Sequence, residues 1–268
     1  MKFDPAGLPA DLLRADDALG AQLEDAGLTS SQPPQQTLYD GWLLRYSPGK
    51  AKRARSVNSI AAGRRSLDEK LPRVEAFYRR AALPCVYRIT PFTQPVGLDA
   101  ALDAAGYEAR DESRVMFVEL DARGTPAVPG AAFCEVGALD FADTVARLRG
   151  SPPPEAAAER ERIAHLALPS YCLVVREADE PVACGCAVID GEVAGIFNMV
   201  TTPQQRGRGQ ATAIVARLLQ QAVVTGVRRA YLQVDAANAP ARHVYLKFGF
   251  RDRYAYWYRT LPPRGELQ

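Results

Sequence analysis

The stretch Val200–Leu219, VTTPQQRGRGQATAIVARLL, decides how this chain is read. A β-rich run ends in a tight loop at Arg206, Gly207, Arg208 and Gly209, and an apolar helical stripe follows. Without a Cβ, Gly207 and Gly209 let the backbone turn sharply and approach a ligand. A helix starting there aims unpaired N–H donors and partial positive charge at one point, which makes an anion site. Two arginines add charge-assisted donors suited to phosphate. The segment predicts a phosphate-bearing cofactor.

Spacing narrows the choice. The chain has no GxxxxGKS or GxxxxGKT, so a P-loop is excluded. GxGxxG also fails, because Gln210, Ala211 and Thr212 follow Gly209 with no third glycine. What stands is PQQRGRGQA, Pro203–Ala211. It resembles the pyrophosphate loop of the GNAT-superfamily acetyltransferases, which reads Gln or Arg, two free positions, Gly, one free position, then Gly or Ala. Arg206, Gly209 and Ala211 take its fixed places. Downstream, NAPARHVYLKFGF (Asn238–Phe250) is similar to the family's second signature, N-x-x-A-x-x-x-Y-x-x-x-G-F. Taken singly, RGRG reads as a solvated basic turn, Asn238 as a helix N-cap, and Tyr245 as a core-edge tyrosine. The two signatures in order, separated by a helix and a strand, carry the resemblance for residues from about 130 onward.

Composition sets the outer bounds. A chain of 268 residues suggests two domains, and 47% hydrophobic with 24% charged residues builds a sizeable core. A net charge of +2 argues against nucleic acid or membrane as a bulk partner, and no apolar run reaches a membrane span. MKFDPAGLPADLL lacks the pattern of a signal peptide. Five cysteines are odd in number and without zinc spacing, so no metal is expected. Cys184 and Cys186 alternate in an apolar strand on one face and read as small buried hydrophobes. The setting expected is reducing and cytoplasmic. Charge is uneven along the chain: residues 1–44 carry two Lys/Arg against seven Asp/Glu, whereas residues 45–80 carry eleven against three. That swing reads as a solvated basic face paired with an acidic helix, or as a surface for an acidic ligand.

DARGTPAVPG at 121–130 reads as a linker and divides the chain into 1–122 and 131–268, with 123–130 between them. In the second part the pattern predicts strands at 133–136, 171–176, 182–189, 192–201, 231–234 and 254–258. Helices are expected at 138–149, 155–168, 210–225 and 238–248, with a hairpin turn near 179–181. The order β-α-α-β-β-β-α-β-α-β is that of the acetyltransferase fold. In the first part, helical periodicity at 8–27, 67–82 and 98–105 and strands at 42–46, 55–60, 86–90 and 115–120 repeat the order without the sequence. Where the second part has its loop, the first has AAGRRSLDEK (Ala61–Lys70), with one glycine and no match to the family pattern. The expected fold class is α/β (α+β): a mixed twisted sheet with flanking helices, as two similar domains in tandem. The first is degenerate and lacks the cofactor motif; a phosphate at 61–66 is the rival reading.

The resemblance implies roles for single residues. Acetyl-CoA is the acyl donor, and the strand entering the loop, at Met199, Val200 and Thr201, polarises the thioester carbonyl through backbone N–H and pairs with the pantetheine amides. The N–H groups of Arg206, Gly207, Arg208, Gly209, Gln210 and Ala211 hold the pyrophosphate, and Thr212 adds its hydroxyl. Asn238 bonds the pantetheine arm or neighbouring backbone. Tyr245 is the general acid for the leaving thiolate. The general base is a gap. Glu192 lies at the far end of its strand, Asn198 cannot take a proton, and Asp190, Asp235, His165 and His243 lack supporting spacing.

The acceptor is expected between the first two helices of the second part, the strand at 192–198 and the last strands, with Arg149–Glu155 as one wall. Asp190 and Glu192, if they face it, favour a cationic amine. The function implied is N-acetyl transfer to a primary amine of a small molecule by direct attack in a ternary complex. A protein N terminus or lysine as acceptor, and a non-catalytic acyl-CoA sensor or scaffold, are the alternatives. A homodimer is compatible with all three.

Overall fold

The computed structural model describes residues 2–121 and 133–262. The linker expected at 123–130 lies outside them. The first half runs α1 (Ala18–Ser30), β1 (Gln35–Tyr39), β2 (Trp42–Tyr46), β3 (Val57–Ser59), α2 (Leu67–Arg80), β4 (Val86–Ile89), α3 (Leu98–Ala104) and β5 (Glu108–Glu119). The second runs β6 (Phe133–Val136), α4 (Ala138–Arg149), α5 (Pro153–Ala164), β7 (Ser170–Glu177), β8 (Glu180–Asp190) and β9 (Val193–Thr201). It continues through α6 (Gln210–Val224), β10 (Arg229–Asp235), α7 (Ala239–Leu246) and β11 (Arg251–Thr260).

Local chemistry sets the element ends. α2 opens on a capping box in which Ser66 and Glu69 satisfy each other's backbone N–H. α4 stops at Gly150, whose φ of 61° is the left-handed cap that glycine favours. Pro153 stands in the first turn of α5, where a missing N–H costs nothing. The β7–β8 turn is two residues earlier than 181: Ala178 and Asp179 both have positive φ, the twist a two-residue hairpin needs, and Pro181 lies inside β8. β1 escapes the sequence pattern because four of its five residues are exposed. β5 begins seven residues before the expected 115, since its first half is charged.

The strands form one eleven-stranded sheet in the order β1-β2-β3-β4-β11-β5-β10-β9-β8-β7-β6. The two halves exchange their last strands. β5 of the first half lies between β10 and β11 of the second, antiparallel to both. β11 in turn lies between β4 and β5 of the first half. Each half supplies a strand that covers an open edge of the other, so the pairing that joins them is sheet interior and not a docking surface.

On one face α6 packs over β8 and β9 through Ile214, Leu218 and Leu219. On the other, α4 covers Cys172, Cys184 and Cys186, all three buried. At the seam Leu23 and Ala26 of α1 meet Val115, Tyr231 and Tyr254. Glu24 there accepts from Arg88 (Nη2, 2.9 Å) and from the Tyr254 hydroxyl (2.7 Å), while the Arg88 guanidinium stacks 4.0 Å from the Tyr256 centroid. Burial opposes ionisation of Glu24, yet the Arg88 charge holds its carboxyl below the usual range. Removing either partner would strand a buried charge.

Candidate active site

β9 and β10 are parallel and paired only from Val193–Arg229 to Ile196–Leu232. Beyond that point β9 turns away. Asn198 has a φ of 52°, and the β8–β9 register slips between Cys184 and Cys186. This bulge bends the strand and opens a wedge in the sheet. Two clefts meet in the wedge.

The first, about 640 Å³, gathers most of the residues the sequence singled out. Met199, Val200 and Thr201 line it from β9. Arg206, Gly207, Gly209 and Gln210 line it from the loop, and Ala211 and Thr212 from the first turn of α6. Asn238 and Tyr245 line it from α7 and its cap. Arg208 is exposed and is not among the lining residues.

The loop is shaped for an anion. Gly207 and Gly209 have φ of 75° and 83°, a region that disfavours side chains, and a Cβ on either would meet no atom within 4 Å. The space over both is open. Among the described residues no side chain caps α6, and its first helical bond is Ala213 N–H to Gly209 O (2.9 Å), so the N–H groups of Gln210, Ala211 and Thr212 have no carbonyl within the helix. An open cradle, three free donors and the Arg206 charge fit a diphosphate. A chain of residues on β9 and α7 leads from there to the wedge, matching an elongated pantetheine.

Tyr245 is buried and lies in the walls of both clefts, as do Met199, Asn238, Ala241 and Arg149. Burial pushes its hydroxyl up to about 12, so it is protonated at neutral pH. Asn238 caps α7, its carboxamide oxygen accepting from Ala241 N–H at 3.2 Å. That occupies the oxygen in the cap, and the residue lines both clefts. Gln205 is buried under the loop, its amide donating to Glu177, and holds the turn to β7.

The second cleft, about 540 Å³, lies beside the first. Its walls are α4, the 149–155 segment, α5, β9 and β10, largely as the sequence suggests. The last strand does not line it. In its place stand Ser31, Lys50, Arg53 and Ala54 of the first half. Asp190 and Glu192 do not line it either: they belong to the β8–β9 turn around Gly191, where a φ of 58° closes the hairpin. His165 hydrogen-bonds its own helix and is also outside (Nδ1 to Glu161 O, 2.8 Å), and His243 faces the first cleft. Of the expected carboxylates only Asp235 lines the second cleft.

Glu155 lines it at the end of the expected 149–155 wall, and the structure adds Glu159, which sequence reading passed over because it sits in an ordinary charged helix. Glu159 accepts from Arg162 (2.6 and 3.1 Å) and from the Asn198 amide (3.3 Å), and Asn198 in turn accepts from Arg149 at 3.1 Å. Burial alone would raise the Glu159 carboxyl, but Arg162 outweighs it and holds the group below its usual range. Such a carboxylate orients its neighbours and is a poor proton acceptor. Among the described residues no cluster of His, Cys, Asp and Glu could hold a metal.

The wedge between two parallel strands thus has a glycine-turned helix start on one side and a polar cleft on the other. The model of the acetyltransferase (GNAT) family matches residues 141–250. That span contains both signatures, in agreement with the resemblance they carry. The chain is 28% identical over 223 residues to the uncharacterized N-acetyltransferase YobR of Bacillus subtilis (strain 168), covering 81% of this chain and 89% of that one.

The fold is similar to that of a GCN5-related N-acetyltransferase from Kribbella flavida, with a TM-score of 0.64 and 16% identity over 94% of this chain and 97% of the other. It is also similar to a tandem GNAT protein from the clavulanic acid biosynthesis pathway, with a TM-score of 0.55 and 17% identity over 70% and 67%. These bear out the fold class and the tandem layout. No helix among the described residues is long and apolar enough to cross a membrane.

Proposed function

We propose that this acyltransferase moves the acetyl group of acetyl-CoA to a primary amine of a small molecule, by direct attack in a ternary complex. The meeting of the two clefts at Met199, Asn238 and Tyr245 carries this reading: the wedge has an entrance for a donor and a separate one for an acceptor. Bound there, acetyl-CoA supplies an activated acyl group. The loop N–H groups from Arg206 to Thr212 hold its pyrophosphate, and Arg208 adds long-range charge. The β9 backbone at Met199–Thr201, still paired with β8 but turned away from β10, provides N–H groups for the pantetheine amides and the thioester carbonyl. Tyr245, protonated at neutral pH, gives its proton to the departing sulfur, a transfer worth typically ~10²–10⁴-fold.

No side chain is assigned as base. Glu159 is held ionised by Arg162, and the amine sheds its proton to cleft water. A small acceptor is favoured over a protein chain because first-half residues close the second cleft at about 540 Å³, the size of a small-molecule site. Five free thiols fit a reducing, cytoplasmic setting.

Thiol release from acetyl-CoA across a panel of primary amines tests the reading. Turnover with at least one small amine is expected; turnover only with peptides or protein termini would overturn it.

A further inference from the structure

The second cleft contains polar atoms that the protein leaves without partners. Nη1 of Arg53 is buried and makes no hydrogen bond among the described residues, and the same holds for both amide atoms of Gln233. Both side chains line the cleft. Buried polar atoms in folded proteins are nearly always paired, and of the thirteen unpaired ones among the described residues three belong to these two side chains in the wall of one cleft, which points to a polar ligand there.

The charges around Arg53 sharpen this. Three neighbouring pairs are matched: Lys52 with Asp111, Arg88 with Glu24, Arg162 with Glu159. Arg53 has no carboxylate in ion-pair contact among the described residues; it lies over the Phe197 ring, 5.7 Å from the centroid, which fixes its guanidinium at the cleft wall. Lys50 adds a second positive charge to the same first-half segment. This end of the cleft is formed by the first half. The opposite end, at Met199, Asn238 and Tyr245, opens on the donor cleft.

We propose that the acceptor is a small primary amine that also carries a carboxylate, held through that carboxylate by Arg53 and Gln233 while its amine lies toward Met199 and Tyr245. The inference rests on the N-acetyltransferase reading above. One guanidinium fork matches the two oxygens of a carboxylate, and the Gln233 amide supplies a further donor. The first half thereby selects the substrate of the second, although it lacks the loop motif itself.

The test uses matched pairs of acceptors, amino acids and short peptides beside their C-terminal carboxamides, assayed by thiol release and by calorimetric binding to the full chain. The carboxylate member of a pair should be preferred by ~10²-fold in kcat/KM, because its carboxamide leaves the guanidinium unmatched. In Arg53→Met that ratio should collapse toward one through KM, and Arg53→Lys should restore part of it. Gln233→Leu should reduce the ratio by a smaller factor, and this second variant covers the case in which Arg53→Met fails to fold.

Equal use of both members by the unaltered protein would overturn the proposal, as would an unchanged ratio in folded Arg53→Met. Amine turnover without any carboxylate preference refutes the proposal and leaves the acetyltransferase reading intact. Binding of carboxylates that depends on Arg53, with no thiol release from any amine, refutes the acetyltransferase reading and supports the carboxylate site.

Discussion

Two loops occupy the same place in the two halves, and they have taken opposite solutions to one physical problem. Each follows the strand that pairs in parallel with its neighbour, β9 or β3, and each opens a helix, α6 or α2. A helix start leaves N–H donors in need of an acceptor. In the second half they stay open: glycines turn the chain, no side chain caps the helix, and the space above is empty.

In the first half the protein fills the position itself. The Asp40 carboxylate accepts from Arg64 N–H (3.0 Å) and Arg65 N–H (3.0 Å), Ser66 and Glu69 close the capping box, and buried Lys70 donates to Asp40 O at 2.7 Å. These backbone bonds, with Lys70, lower the Asp40 carboxyl to about 2. A Cβ on Gly63 would collide with the Asp40 carbonyl, so no room remains for a ligand. The adjoining wedge is closed too: β3 and β4 pair at only two positions, and the space beyond shrinks to about 70 Å³ beside the Arg88–Glu24 pair. An anion site persists where the protein withholds its own anion. The phosphate reading of 61–66 therefore gives way to an internal carboxylate.

The contrast can be broken at four points. The largest effect is expected from separating the halves. Residues 131–268 expressed alone lose β5 from between β10 and β11 and should aggregate or unfold without cooperativity, while co-expression with 1–122 should restore a soluble complex. A monomeric fragment with cooperative thermal unfolding would show that the strand exchange is dispensable.

Next comes Gly209→Glu, which puts a side chain into a left-handed position and a negative charge into the open cradle. Coenzyme A affinity should fall by ~100-fold or more by calorimetry, since several charge-assisted hydrogen bonds are displaced. Retained affinity would refute the loop's role. The matching change in the other loop, Gly63→Ala, should lower the melting temperature and leave no mark of its own on coenzyme A binding.

Tyr245→Phe should cut kcat by ~10²–10⁴-fold with coenzyme A affinity little changed. Unaltered turnover would remove Tyr245 from the chemistry. The smallest effect concerns pH. Asp40 is depressed in the folded chain, so its stabilisation is complete above the unfolded carboxyl value, near ~3.9, and is lost as pH falls through about 2. Asp40→Asn should melt lower than the unaltered protein at pH 7, and the gap should narrow over that acidic window. A gap that stays constant from pH 7 to 2 would mean the carboxylate charge contributes nothing.

Much of the second half was legible because its signals are local. Strand 133–136 and helix 138–149 fall where the periodicity puts them, and the helix at 210 starts at its glycine. Helix 153–164 ends four residues early because His165 already closes the turn. The wedge residues came from two signatures within fifty residues of each other, and the structure brings eleven of the twelve candidates to one cleft, all but Arg208.

The part of the second cleft that the first half supplies was not legible. Glu159 and Arg53 stand 106 positions apart and meet only through the fold, and nothing in KRAR (Lys52–Arg55) distinguishes Arg53 from its neighbours. The basic surplus of 45–80 hinted at an acidic ligand without saying which cation would be left unmatched.

By itself the sequence determined most local conformations and the glycine loop at 206–209, because turn chemistry, capping and helical periodicity act over a few residues. It also determined that the first loop differs from the second. Only the tertiary structure decided that each half borrows a strand from the other, that Asp40 fills the first loop, and that Arg53 reaches the second cleft. Those outcomes depend on which distant groups come within hydrogen-bond reach after the sheet has closed. Pairing across more than a hundred residues is a property of the packed core, where an unmatched charge is costly and its nearest partner is set by topology.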